Sequence, residues 1–193
     1  MFTVLFILAG CNKAEEISLD EIQYFEIGDL RFAIAHKFVG RGSYKKGEFL
    51  ALDFSLPSMN IYNEKLRKRD HLRIIIKKKN HKEPSLIAKQ AIRVKAFGAT
   101  LSDEQTYPEL DFYKANNNHL YDYFVSRDKN VPILVFCYKD TGRVDRTPMC
   151  DFTEVMISPE VQVTYFYPRA SLYQWKNHHK KIMEVLSTII KEK

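Results

Sequence analysis

The chain has 193 residues, of which 45% are hydrophobic and 13% are aromatic. This composition excludes an intrinsically disordered protein and fits one globular domain with a packed core. A formal charge of +6 would suit nucleic-acid binding in a cytosolic protein, but the N-terminal sequence predicts export, so we expect no nucleic-acid partner.

The first eleven residues have the pattern of a secretion signal. Residues 2–9 are uncharged and mostly apolar, and this run is too short to span a bilayer as a helix, which takes about 20 residues. Leu8, Ala9 and Gly10 then precede Cys11, and this sequence resembles the bacterial lipobox. The resemblance implies cleavage after Gly10 and acylation of Cys11. Asn12 at the next position implies sorting to the outer membrane, facing the periplasm.

The alternative for this segment is a buried N-terminal strand that ends in Ala-Gly-Cys. No lysine or arginine precedes the apolar run, whereas a secretion signal normally begins with one. A strand of this length would usually alternate or carry a polar residue. We therefore predict a signal peptide over residues 1–10, an acidic tether over residues 11–22 and a single α+β domain over residues 23–193.

Two alternating segments predict a β-hairpin near the start of the domain. Residues 31–39 place Phe32, Ile34 and Phe38 on one side of a strand, and residues 48–56 alternate in the same way. The intervening residues 40–47 contain three glycines and are predicted to form the connecting turn.

A dense basic block follows over residues 65–82, with nine lysines and arginines against only Asp70. Residues 72–76 inside the block are a predicted strand. Lysines often protect an exposed sheet edge from pairing with other chains, and this role or simple solvation is one interpretation of the block. The other interpretation is a surface for an acidic partner, to which Lys77, Lys78 and Lys79 would contribute.

The middle of the chain is rich in loops and aromatic side chains. Residues 86–97, 109–113 and 120–125 are predicted strands, and the last two flank an asparagine turn. Aromatic side chains in this region predict either packed core or a protein-contact surface. They are Tyr107, Phe112, Tyr113, Tyr121, Tyr123 and Phe124.

The two cysteines other than Cys11 are predicted to form a disulfide. Cys137 lies in a predicted strand over residues 131–138 and Cys150 begins another over residues 150–157, with turn-forming residues between them. An even number of cysteines is typical of disulfide pairing in an oxidising compartment. Two buried free thiols or a metal-binding pair are the alternatives, and the metal pair lacks a histidine at ligand spacing.

A last predicted strand over residues 160–167 precedes the one segment with sustained helical periodicity. Ser171 is predicted to cap a helix of nearly twenty residues that ends near residue 191. Together these patterns predict an α+β fold, in which a mainly antiparallel sheet is covered on one face by this helix, with Trp175 buried beneath it. The apolar side of the helix is predicted to contain Leu172, Trp175, His179, Ile182, Leu186 and Ile189.

The sequence contains no recognisable catalytic constellation. It has no Gly-x-Ser-x-Gly, His-Glu-x-x-His or Cys-x-x-Cys motif, and its six histidines are scattered. We therefore predict that the protein is not an enzyme and has no catalytic residue, bound metal or cofactor. Carboxylates that would act only if the fold paired them are Asp103, Glu104, Glu109, Asp111 and Glu154.

Residues 165–182 combine an aromatic strand with Pro168, Arg169, Leu172 and Trp175 at fixed spacing. Together with the lipobox and the late cysteine pair, this motif resembles small lipoproteins encoded beside type VI secretion effectors and thought to act as their immunity proteins. The resemblance implies a lipid-anchored periplasmic protein that neutralises a toxin or secreted effector by occlusion. The alternative is a cell-envelope accessory lipoprotein whose basic block binds anionic lipid or glycan.

Acylation of Cys11 is directly testable. Growth with a radioactive fatty acid should label the wild-type protein and not the Cys11→Ser variant, because the thiol is the predicted attachment point. Equal labelling of the two proteins would contradict the assignment.

Overall fold

The structure, a computed structural model, describes residues 20–56, 58–61, 71–82, 98–104, 107–116, 120–128, 130–131, 133–139 and 148–191. Predictions that lie outside these residues are the signal peptide with Cys11, the tether as far as residue 19, the first part of the basic block over residues 65–70, and the strand over residues 86–97. Ile22, the last residue of the predicted tether, is already part of a strand.

The larger of two antiparallel sheets spans most of the described chain. Its strands are β3 (Val39–Lys45), β4 (Phe49–Ser55), β5 (Asn60–Ile61), β6 (His71–Lys78), β7 (Thr100–Leu101), β8 (Leu110–Lys114), β9 (Tyr121–Ser126), β10 (Leu134–Tyr138), β11 (Met149–Met156) and β12 (Val161–Pro168). Their order is β3-β4-β6-β12-β11-β10-β9-β8-β7, and β5 pairs beside β4.

A smaller sheet and a helix pack on one face of the larger sheet. The small sheet has the order β1-β2-β13, from β1 (Ile22–Ile27), β2 (Leu30–Ala35) and β13 (Ile190–Lys191). A 3-10 segment over Arg169–Gln174 leads from β12 into helix α1 (Trp175–Ile189). The predicted α+β architecture is confirmed.

The core lies between these layers because alternate side chains of each strand point to the same face. Strand β6 contributes Leu72, Ile74 and Ile76, which are fully buried. Helix α1 adds Trp175, Ile182 and Leu186 from one apolar stripe, and the small sheet adds inward-facing side chains to the same cluster. In the aromatic middle region the structure favours packing over display, since Phe112 and Phe124 are buried in this core and Tyr123 is buried in a second, smaller cluster.

One row of side chains on the inner face crosses four strands. Asp122 is paired in register with Cys137, Cys137 with Cys150, and Cys150 with Tyr167. The predicted Cys137–Cys150 disulfide is present in this row, between residues whose Cα atoms are 4.0 Å apart. Arg169, two residues after Tyr167, reaches back to the other end of the row, where its Nη1 donates to Asp122 Oδ2 at 2.7 Å and to the Tyr138 carbonyl at 3.0 Å.

The predicted N-terminal hairpin was wrong in its first strand. Strand β2 belongs to the small sheet, and β3 is the strand that pairs with β4. A 3-10 turn at His36–Phe38 redirects the chain between the two sheets. The glycine-containing segment continues as strand up to Lys45, with a register shift between Val39 and Tyr44 that accommodates the extra residues.

The structure also corrects the edge-protection interpretation of the basic block. Strand β6 lies between β4 and β12 and is hydrogen-bonded on both sides, so it is not an edge strand. Lys77 and Lys78 therefore do not prevent edge pairing, which leaves solvation or an acidic partner as the explanation of their charge.

The helix differs from its prediction at both ends. It begins at Trp175 and not after Ser171, because the preceding residues form a 3-10 segment, and its 15 residues span about 22 Å instead of about 30 Å. His178 occupies the buried stripe in place of the predicted His179. His179 instead pairs its Nδ1 with the hydroxyl of Tyr165 at 2.8 Å.

Trp175 is buried as predicted, with 1% of its surface exposed, and its Nε1 donates to the Pro108 carbonyl at 3.0 Å. Trp175→Ala should lower the free energy of unfolding by about 3–5 kcal/mol, because it leaves a large cavity and removes this hydrogen bond. Tyr173→Ala is the control, since Tyr173 is 58% exposed, and it should change stability by about 0.5 kcal/mol or less in urea denaturation. Equal midpoints for the two variants would contradict the assigned packing.

Candidate functional site

The three predicted partner-binding lysines lie together where strand β6 ends. Lys77 is half-buried, Lys78 is exposed and Lys79 is half-buried. Their backbone is held on both sides, since Lys78 N donates to the Glu48 carbonyl at 2.8 Å and Lys79 N donates to the Glu160 carbonyl at 2.7 Å. The main chain that carries the lysines is therefore part of the sheet framework.

Three turns meet the end of β6 at the same edge of the domain, and we call this region the lysine end. It comprises Gly28–Asp29, Lys45–Glu48, Lys77–Lys82 and Ser158–Glu160. Direct hydrogen bonds join its parts: Gly47 N donates to the Glu26 carbonyl at 3.2 Å, and Ser158 Oγ donates to an Asp29 carboxylate oxygen at 2.5 Å. Sequence reasoning found only the β6 part, because the other turns arrive from distant positions.

Gly28 packs tightly against the turn that precedes β12. Its φ of +55° lies in the left-handed region, where a side chain is disfavoured. A Cβ atom there would lie 2.9 Å from Val161 Cγ2 and 3.1 Å from Glu160 Cβ. Only glycine allows the β1–β2 turn to pack this tightly against the start of β12.

The lysine end carries an excess of positive charge. Its lysines outnumber the carboxylates of the same turns and their flanking strand, and Lys45 forms an ion pair with Glu48 at 2.8 Å. The cations are Lys45, Lys46, Lys77, Lys78, Lys79 and Lys82, and the carboxylates are Glu26, Asp29, Glu48 and Glu160. The charge balance therefore favours an acidic partner.

Apolar side chains lie beside these charges. Phe49, Lys77, Gln162 and Met156 follow one another in register across four neighbouring strands. Met156 is 43% exposed and Phe49 is half-buried. An apolar contact with a charged rim is the usual composition of a protein-binding surface.

A second polar cluster lies on the outer face of the sheet, at the other end of β6. Asp53 Oδ1 accepts from His71 Nε2 and from Arg73 Nε at 2.8 Å, and its Oδ2 accepts from Arg73 Nη2 at 3.0 Å. Burial alone would raise the pKa of Asp53, but the hydrogen bonds from His71 and Arg73 outweigh it and lower the pKa to about 2. Both carboxylate oxygens are engaged, so the cluster fixes Arg73 on the sheet.

The surroundings of Glu109, Asp111 and His178 also suit structural roles. Glu109 binds Lys176, and Asp111 binds Arg127 at 2.9 Å, so these two carboxylates do not form an acid-base pair with each other. His178 packs edge-on against Tyr167, and burial lowers the pKa of His178 to about 4. Among the described residues, no three His, Cys, Asp or Glu side chains come close enough to bind a metal ion together.

A shallow groove of about 300 Å³ runs along one flank of α1. Ligand-binding clefts are lined mainly by apolar and aromatic side chains, whereas this groove is lined by polar ones. They are Gln174, Asn177, His178, Lys180, Lys181 and Glu184.

The described part of the chain contains no helix with the length and apolar character required to cross a bilayer.

Comparison with solved structures places this fold beside two bacterial proteins. The first is an immunity protein of the Stenotrophomonas maltophilia type IV secretion system, with a TM-score of 0.68 and 14% identity over 90% of this chain and 94% of that chain. The second is the iron-regulated outer membrane lipoprotein FrpD of Neisseria meningitidis, with a TM-score of 0.54 and 10% identity over 89% of this chain and 93% of that chain. At these identities the likeness is one of fold.

No protein-family profile matches the chain, and no curated protein matches it in sequence. The first comparison agrees with the predicted likeness to secretion-system immunity proteins. That neighbour belongs to a type IV system, whereas the sequence resemblance indicated a type VI system.

The packing of Gly28 gives a stability test of the lysine end. Gly28→Ala should lower the free energy of unfolding by more than Gly47→Ala, because both glycines have positive φ but an added Cβ meets another atom only at Gly28. The left-handed conformation should cost each variant about 1–2 kcal/mol, and the contact with Val161 adds to it in Gly28→Ala alone. Denaturant midpoints measure the difference, and a larger loss for Gly47→Ala would contradict this packing.

Proposed function

We propose that the protein is a lipid-anchored periplasmic immunity protein that binds a secreted effector and blocks it by occlusion. The observation that carries the proposal is the fold shared, over nine-tenths of the chain, with an immunity protein of a secretion system. The described residues also lack a metal-binding cluster, and the carboxylates of Asp53, Glu109 and Asp111 are engaged in ion pairs. Both features suit a binding protein.

Lipid anchoring is the second part of the proposal. It rests on the lipobox-like sequence at Cys11 and gains support from the fold shared with an outer membrane lipoprotein. Tethering raises the local concentration of an inhibitor at the membrane, so a modest intrinsic affinity becomes effective there. The association with a type VI effector and the outer-membrane location extend the proposal and derive from the sequence resemblance alone.

The lysine end is the proposed contact with the effector. Its backbone is fixed by hydrogen bonds between turns, so little conformational entropy is lost when it binds. Its positive charge would steer an acidic partner toward the surface and raise the association rate. Exposed Met156 offers an apolar contact beside the charged rim.

The alternative function is an envelope accessory protein whose lysines bind anionic lipid or glycan. Strand β1 runs toward the lysine end, since Ile27 bridges to Gly47 there, and Ile22 lies at the far end of the strand. An anchor at Cys11 therefore joins the domain at the end opposite the lysines, which favours a partner away from the bilayer. Binding that collapses between low and physiological salt would favour the anionic polymer instead.

Co-expression tests the proposed function. The effector encoded beside this gene is directed to the periplasm with and without this protein, and survival should depend on the protein. Survival that is independent of it would overturn the immunity proposal and leave the envelope-accessory function.

Reversing Lys77, Lys78 and Lys79 to glutamate should slow association with the effector by about 10-fold or more, while dissociation changes much less, because rim charges act mainly on encounter. The control reverses Lys114, Lys180 and Lys181, which are exposed elsewhere and give the same change in net charge. Surface plasmon resonance at low and physiological salt separates the two rates. Equal slowing in both triple variants would show that net charge, and not the lysine end, steers the complex.

A further inference from the structure

Two large apolar side chains are exposed on the outer face of the small sheet, near the point where the chain enters the domain. Ile22 and Tyr24 project from β1 and are 52% and 58% exposed. Their register partners on β2 are Ala35 and Ala33. Because alanine side chains are short, Ile22 and Tyr24 protrude from this face. We call these four residues the β1 face.

Charged side chains lie farther along the same face. Glu26 is paired in register with Arg31, and Arg31 with Lys191. The Arg31 guanidinium lies 4.2 Å from the centre of the Tyr24 ring, so it borders the aromatic surface. The face therefore changes from apolar to charged along the strand, over about 13 Å from Ile22 to Glu26.

We propose that the β1 face rests on the bilayer surface when Cys11 is acylated, an inference that depends on the proposed lipid anchor. Tyrosine and isoleucine suit the boundary between headgroups and acyl chains, and arginine and lysine reach from such a position back to the phosphates. Eleven positions separate Cys11 from Ile22, a reach of at most about 40 Å. The tether is therefore long enough for the apolar end of β1 to reach the membrane.

The same geometry orients the proposed effector contact. Strand β1 extends about 17 Å from Ile22 to Ile27, and Ile27 adjoins the lysine end through its bridge to Gly47. Contact through Ile22 and Tyr24 leaves the lysine end outside the membrane contact, where an incoming effector meets it. The face adds a weak second membrane contact to the acyl chains, and two such signals hold better than one.

Depth-dependent quenching tests the contact. Acylated Tyr24→Trp protein is reconstituted into vesicles of phosphatidylethanolamine and phosphatidylglycerol with brominated acyl chains. Tyr173→Trp is the matched control, because Tyr173 is also 58% exposed. Tyr173 lies just before helix α1, and the small sheet lies at the other end of this helix, which is about 22 Å long. After subtraction of the Trp175 emission of wild type, Tyr24→Trp should lose at least about twice the fraction that Tyr173→Trp loses.

Equal quenching of the two variants would overturn the proposal while leaving anchoring and neutralisation intact. A double variant, Ile22→Asp with Tyr24→Asp, gives a second readout in the Cys11→Ser background, where its co-sedimentation with the same vesicles should fall about 5-fold or more. Loss of neutralisation with unchanged vesicle binding would assign the face to the effector and refute the membrane contact. Absence of acylation in wild type would remove the anchor, and this proposal with it.

Discussion

The inner-face row from Asp122 through the disulfide to Tyr167 is the constraint on which the C-terminal half of the fold depends. Asp122 is only 7% exposed, and a buried carboxylate that loses its partner costs about 3–5 kcal/mol. Arg169 supplies that partner, and its backbone N–H also donates to the Pro148 carbonyl at 2.8 Å. Fixing Arg169 fixes the start of the 3-10 segment, and thereby the point at which α1 turns back over the sheet.

The disulfide restrains the same row through a covalent bond. Because Cys137 and Cys150 face each other on adjacent strands, their bond closes the β10–β11 connection and constrains the unfolded chain, an effect of about 3 kcal/mol for a loop of this length in the chain-entropy model. The pair lies between Asp122 and Tyr167, so covalent and ionic restraints reinforce one another. In the oxidising periplasm proposed for this protein, both would persist.

Rigidity links this framework to the proposed function. An occluding inhibitor gains affinity when its contact surface is already ordered, since little entropy is then lost on binding. At the lysine end the order comes from main-chain hydrogen bonds between turns and from the close approach that Gly28 permits. The opposite end of β1 carries the apolar side chains nearest the tether, so the two proposed contacts lie on separate parts of the domain.

The sequence by itself determined the fold class, the main strands from β6 to β12, the burial of Trp175 and the spacing of the cysteine pair, because alternation and helical period are local properties. Tertiary structure alone decided which strands are neighbours. It moved β2 into a second sheet, placed β6 in the sheet interior, and buried His178 where His179 was predicted. The two histidines are adjacent in the helix, and His178 packs against Tyr167 while His179 hydrogen-bonds to Tyr165. Strand pairing also creates two groups of polar residues that are distant in sequence. They are the cluster of Asp53, His71 and Arg73 and the lysine end. No local pattern in the sequence encodes this pairing.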